Sequence, residues 1–209
     1  MTPQEIYENL YELFPDAQCE LIHQNAFEMA IAVLLSAQTT DKSVNKVTPA
    51  LFARYPNAKA LSEADVTEVE GILHSLGLYR NKARNIIRLA NELLENFNGE
   101  MPHTREKLMT LSGIGRKSAN VILIECFDTP AIPVDTHVER VCKRLKLAKE
   151  ADSVLDVERK LARKYPKEQW RKMHHMLIFF GRYRCKSQHP LCEGCPFAAF
   201  CRYQKEKGK

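Results

Sequence analysis

The stretch Leu111-Ser112-Gly113-Ile114-Gly115-Arg116-Lys117-Ser118-Ala119-Asn120-Val121 carries two glycines, two consecutive bases and then the start of an apolar run. Gly113 and Gly115 let the backbone turn tightly and approach a ligand with no Cβ in the way. A short helix precedes the turn, and helical periodicity follows it from Arg116 to about Phe127. The pattern is helix, Leu-x-Gly-x-Gly, helix, over roughly 105–127. Amides of the turn and of the next helix's first turn lack internal partners. They form a pocket for an anion such as phosphate. A plain tight αα-hairpin accounts for the same residues without a ligand.

Working outward, nearly every segment reads as helix with a start signal. Thr2-Pro3-Gln4-Glu5 is a capping box with proline at the first helical position, followed by Ile6, Leu10 and Leu13 on one face. Asn25 opens a second helix, and a third begins near Asp41 and meets Pro49, which is expected to kink or divide it. Ser62 with Asp65 starts a fourth. Tyr79 to Phe97 forms a fifth that stops at Asn98-Gly99. Past the proline-punctuated Asp128–Val134, helices open at Asp135 or Thr136, at Ser153, and from Glu168 to about Arg182. No stretch alternates apolar and polar residues long enough to propose a sheet. The expected fold is all-α, with about ten helices.

The chain has 209 residues, 44% hydrophobic and 27% charged, as soluble globular proteins do. Lys and Arg outnumber the acids 31 to 26, a net charge of +5. That surplus permits nucleic-acid binding without arguing for it. The N-terminus lacks a signal-peptide pattern and no apolar run is long enough for a bilayer, so a cytoplasmic protein is expected.

Four of the seven cysteines crowd into one loop: Cys185, Cys192, Cys195 and Cys201, separated by six, two and five residues. Four soft thiolates with little apolar content between them are hard to place in a core, and cytosolic disulfides are disfavoured. The loop reads as a metal site. Zinc sites usually pair two tight knuckles. Here one tight pair has a wider arm on each side, and Cys195 is followed by Pro196, which suits an iron–sulfur cube. Spacing leaves both metals open. Cys126 and Cys142 read as small hydrophobes, and Cys19 has no assigned role.

Lys117 sits in a helix's first turn beside Arg116, where the macrodipole disfavours a cation. Both influences favour the neutral amine that a nucleophile requires. Two solvated, phosphate-contacting bases are the plainer reading. The helix after Lys117 rises about 17 Å at 1.5 Å per residue. The following seven or eight residues span about 25 Å when extended. The chain can therefore return and set Asp135 beside Lys117. Asp135 is equally a favoured N-cap for the helix carrying Val138 and Val141, and the two roles are compatible.

At this point the sequence resembles the endonuclease III family of helix-hairpin-helix DNA glycosylases. The residues carrying the resemblance are Leu111–Val121, Val134-Asp135-Thr136-His137 and the C-x6-C-x2-C-x5-C loop. Leu34-Leu35-Ser36-Ala37-Gln38-Thr39-Thr40-Asp41 and Gly77-Leu78-Tyr79 extend it to essentially the whole chain. It implies two helical domains with a DNA cleft between them. One is a six-helix domain at 18–129 that holds the hairpin. The other combines 1–17 with 130–209 and bears the cluster loop, 185–201. It also implies that the metal is a [4Fe–4S] cluster on Cys185, Cys192, Cys195 and Cys201.

The function it implies is base-excision repair by a monomer acting on double-stranded DNA. Oxidised pyrimidines are removed and the strand is cut at the abasic site (AP lyase). Lys117 attacks C1′ of the damaged nucleotide, Asp135 deprotonates the lysine or steadies charge on the sugar, and β-elimination follows from a Schiff base. A flipped base leaves a hole in the stack, which Gln38 and Leu78 fill by the resemblance; a helix-end polar residue and a core leucine are their bland alternatives. Gly113 and Gly115 hold phosphate, and Arg116, His137, Arg182, Arg184 and Lys186 add DNA contacts or, for the last three, form a solvated rim.

The chain departs from the family pattern twice. Ser112 stands where the family often has proline, so a less stiff hairpin is expected. Lys186-Ser187-Gln188-His189-Pro190-Leu191 is poorer in bases than the family's cluster loop, so a weaker phosphate grip is expected there. Adenine-specific mismatch glycosylases share the aspartate and cluster but lack the lysine and carry a further C-terminal domain. A non-catalytic hairpin and iron–sulfur module for DNA binding or redox sensing needs no Lys117 and Asp135 together. A zinc-stabilised structural protein is the third alternative.

Overall fold

Polar caps set most helix starts. Side chains of Thr2, Asn25, Thr40, Asn57, Asp65, Thr104, Asp135 and Ser153 each accept a backbone N–H of the turn that follows. The computed structural model describes residues 1–207; residues 208 and 209, the end of the expected second domain, lie outside it. Twelve α-helices and one π-turn occur among the described residues, with no strand. Of these helices, none is long and apolar enough to cross a membrane.

The chain divides into two units. Cys19–Thr129 carries α2 (Ala26–Leu35), α3 (Asp41–Arg54), α4 (Ala58–Ser62), α5 (Val66–Leu73), α6 (Tyr79–Phe97), α7 (Arg105–Leu108) and α8 (Arg116–Cys126). It holds one helix more than the sequence suggests. Asn57 caps a five-residue helix that ends at Ser62, and Asp65 caps the next one. One turn and a half is too short to leave a periodic trace. Pro49 does not divide α3, because Val44, Val47, Thr48 and Leu51 bury one continuous face on both sides of it. That burial offsets the single backbone bond a proline removes.

α2 is apolar on every side except for Glu28 in its first turn and lies within the unit, packed by α3, α6 and α8. α6 buries Ala83, Ile86, Leu89, Ala90 and Leu93 on one stripe. It ends at Asn98 and Gly99, both left-handed, with the Gly99 N–H bonded to the Leu93 carbonyl at 2.8 Å.

Met1–Gln18 with Pro130–Lys209 forms the other unit. It carries α1 (Pro3–Leu13), α9 (Thr136–Arg144), α10 (Val154–Lys164), α11 (Lys167–Phe179), the π-turn Phe180–Arg184 and α12 (Arg202–Lys207). Ile6 and Leu10 of α1 bury against Val138, Val141, Leu161, Met176 and Leu177. Phe197, fully buried, stands edge-on to Phe180 with centroids 5.3 Å apart, which anchors the cysteine loop to this core. Burial pushes the Cys142 thiol far up, so it behaves as a small hydrophobe.

Candidate active site and cysteine loop

The hairpin is built by one turn. The Ile114 N–H donates to the Leu111 carbonyl at 3.1 Å, and Gly113 adopts φ +80°, the value required at the third residue of a type II turn. A Cβ on Gly113 would lie 2.4 Å from Leu34 Cδ2, so the turn rests directly on the end of α2. Gly113→Ala is expected to cost about 1–2 kcal/mol for the left-handed backbone alone, and to weaken DNA binding. Urea melts and a DNA titration check both effects; an unchanged midpoint would mean that the turn relaxes freely.

Ser112 occupies the second position of this turn, where proline is favoured. Unlike proline it has an N–H, and that N–H donates to Glu92 Oε2 at 2.6 Å while its hydroxyl donates to Oε1 at 2.5 Å. Glu92 of α6 thus supplies the rigidity a proline ring would have given, and the expectation of a looser hairpin is replaced by a clamped one. Glu92→Leu is expected to cost about 1–3 kcal/mol by stranding both donors. Adding Ser112→Pro removes both donors together, so the double variant should return to within about 1 kcal/mol of native in a double-mutant cycle. Strictly additive losses would argue against the clamp.

Gly115 is the N-cap of α8, extended and with no side chain to cap the amides of the helix's first turn. Arg116 and Lys117 are the first two residues of that helix, both half-buried. At the far end, Asp128 is left-handed and the Thr129 N–H bonds the Leu123 carbonyl at 3.1 Å, which turns the chain off the helix axis.

The same unit holds Gln38 and Leu78. Both are exposed, and both are non-glycine residues with positive φ, +54° and +60°. Leu78, 58% exposed, is therefore not a core leucine. It is also the N-cap of α6, and it makes no capping bond. Such backbone costs stability and marks sites where the surroundings over-determine it. Part of that support is Lys82, one turn into α6. It is almost fully buried, and its ammonium donates to Thr39 Oγ1 beside Gln38. Burial holds the Lys82 ammonium below its ordinary value. The sequence offered no signal for Lys82 beyond a charge at a position that helical spacing places inward.

In the other unit Asp135 caps α9. Oδ1 accepts the N–H groups of His137 and Val138 at 2.9 and 2.8 Å, and Oδ2 lies 3.0 Å from His137 Nδ1. The carboxylate is held in one orientation by backbone donors and is half-exposed. Gly181 of the π-turn packs on this first turn: a Cβ there would lie 2.9 Å from His137 Cβ.

All four cysteines of the loop line a single pocket, with Leu145, Phe180, Arg184, Leu191 and Phe197 among the other walls. Among the described residues no three of its ligand-type side chains converge on a point that would hold one ion. Cys185 and Cys201 are buried, Cys192 and Cys195 half-buried. The loop is tied by Cys185 N–H to Phe180, Cys195 N–H to Cys192 and Cys201 N–H to Phe197 carbonyls, at 2.6, 3.1 and 2.7 Å.

Sequence reading missed what grips the loop from α9. Arg140 donates to the carbonyls of Gly181 and Cys185 at 2.8 and 3.1 Å. Arg144 donates to Cys185 Sγ at 3.3 Å and to the carbonyls of Lys186 and Ser187 at 2.8 and 3.2 Å. Burial pushes the Cys185 thiol up, while Arg144 pulls it the other way. Of the bases expected at DNA, Arg182 is half-buried, Lys186 is exposed, and Arg184 lines the cysteine pocket.

Residues 31–167 match the HhH-GPD superfamily of base excision DNA repair proteins. Endonuclease III of Bacillus subtilis (strain 168) is 50% identical over 198 residues, 95% of this chain and 90% of that protein. Endonuclease III of Escherichia coli (strain K12) is 44% identical over 203 residues, 97% and 95% of the two chains. A solved structure of a trapped covalent endonuclease III–DNA intermediate superposes with a TM-score of 0.94 at 50% identity, covering 100% of both chains. The chain belongs to the HhH-GPD superfamily of base excision DNA repair proteins and, within it, to the endonuclease III family.

Proposed function

We propose that the base-excision activity of this chain is bifunctional: it releases an oxidised pyrimidine from duplex DNA and then cuts the strand through a lysine Schiff base. The observation that carries the reading is Lys117 as the second residue of α8, directly after the Gly113–Gly115 turn. That turn and the uncapped helix start suit phosphate, so the amine stands where the backbone of a nucleotide would be gripped. A relative at 50% identity has been trapped as a covalent intermediate with DNA, which requires a nucleophile on the protein.

In this reading Lys117 Nζ attacks C1′ and the glycosidic electron pair leaves with the base, which takes up a proton. The sugar ring opens to a protonated imine. Loss of a C2′ proton then expels the 3′ phosphate, and water releases the lysine. Asp135, held by the α9 amides, accepts the lysine proton or faces the positive sugar. Gln38 and Leu78 fill the space left by the flipped nucleotide. Arg116, His137, Arg182 and Lys186 contact the DNA backbone, and the enzyme acts as a cytoplasmic monomer.

Cys185, Cys192, Cys195 and Cys201 fit a [4Fe–4S] cluster, since thiols spread around one pocket suit a cube with one iron per cysteine. Such a cluster supplies a cross-link for the loop and a store of charge. The four cysteines would hold every iron of such a cluster, and bond breaking is left to Lys117 and Asp135.

The test is a duplex with one thymine glycol, assayed for free base and strand cutting, alongside iron and sulfide analysis of protein purified without oxygen. Base release with cutting and borohydride trapping supports the proposal. DNA binding by a well-folded, iron-loaded protein with neither product would instead make this chain a binding or redox-sensing module.

A further inference from the structure

Arg184 is the last residue of the π-turn and immediately precedes Cys185. Its guanidinium crosses the cysteine loop: Nη2 donates to the Glu193 carbonyl at 2.8 Å, inside the tight Cys192–Cys195 pair. The Nε–H of the same group is buried and meets no acceptor among the described residues. Buried charged donors are costly to leave unpaired, and such an orphan points to a missing partner. The side chain lines the pocket that all four cysteines share, and among the described residues no carboxylate lines that pocket. The acceptors a loaded pocket would offer are sulfurs.

We infer that Arg184 Nε–H donates a hydrogen bond to a sulfur of the group held by these cysteines, either a cysteine thiolate or an inorganic sulfide. The inference rests on the iron–sulfur reading of the loop. Arg144 already donates to Cys185 Sγ from the α9 side, so Arg184 is a second donor, from the residue just before the loop. A donor aimed at cluster sulfur stabilises the more electron-rich state and raises the reduction potential. Arg184, which the sequence placed at DNA phosphate, then serves the cofactor while Lys186 and Arg182 remain for DNA.

The experiment compares native holoprotein with Arg184→Met and Arg184→Lys by redox titration and by Fe–S stretching frequencies. Arg184→Met is expected to shift the redox equilibrium about tenfold toward the oxidised state, about 59 mV for one electron, with altered Fe–S stretches. Arg184→Lys keeps the charge but has no donor at Nε, and should recover less than half of the shift. It also keeps the inference testable if the methionine variant fails to load. Full recovery in Arg184→Lys would overturn the hydrogen bond in favour of charge alone. An unmoved potential with a salt dependence of DNA binding reduced by about one ion would return Arg184 to phosphate and overturn the inference alone. Native protein that takes up no iron would overturn the cluster reading itself.

Discussion

Lys117→Ala is expected to abolish the borohydride-trapped adduct with an abasic duplex and to slow strand cutting by about 10⁴-fold or more, as loss of a nucleophile does elsewhere. The same change should leave folding intact. Lys117 is half-buried at the positive end of α8, where a cation is unfavourable and alanine is the better helix former. Stability is therefore expected to stay level or to rise by about 0.3–1 kcal/mol. Lys117→Arg keeps the charge without an amine able to form an imine, so it should bind DNA and remain uncut. An adduct that survives in Lys117→Ala would move the chemistry to another group. A residue whose removal helps the fold and ruins the reaction is one retained for chemistry.

Asp135→Asn is the second large effect, because it separates two roles of one side chain. An amide oxygen can still accept the N–H groups of His137 and Val138 that Oδ1 accepts now. The cap of α9 should survive, with stability within about 1 kcal/mol of native. The negative charge is lost, and single-turnover base release is expected to fall about 10²- to 10⁴-fold with DNA affinity unchanged. Asp135→Ala loses the cap as well and should cost a further 0.5–2 kcal/mol, roughly, in a urea melt. Native rates in Asp135→Asn would reduce Asp135 to a helix cap.

The clamp from Glu92 to Ser112 and the turn at Gly113 bear on these results through geometry. Both hold the start of α8, and with it the Lys117 backbone. Their variants should lower affinity for DNA before they lower the rate of a bound complex. A family resemblance suggested proline at position 112. The structure reaches the same stiffness with a carboxylate from a helix 20 residues earlier.

Much was legible in the sequence because it is locally encoded. Caps such as Asn25, Asp65 and Ser153 act on amides two or three residues away. The apolar stripe of α6 repeats every turn, and the four cysteines lie within one loop. The all-α class, the hairpin around Gly113 and Gly115, the candidate nucleophile and the cysteine loop follow from such short-range signals. The short α4 and α12 escaped, since neither is long enough to repeat a pattern.

What only the tertiary structure decided are bonds between residues far apart in the chain. Lys82 reaches Thr39 across 43 positions, and Arg140 reaches Cys185 across 45. The inward turn of Arg184 belongs with them: Tyr183 just before it and Lys186 two positions after it are exposed, while Arg184 lines the cysteine pocket. A charge on a helix or loop has the same sequence whether it faces water, phosphate or sulfur. Its partner is chosen by the three-dimensional position of the acceptor and by the desolvation cost of reaching it.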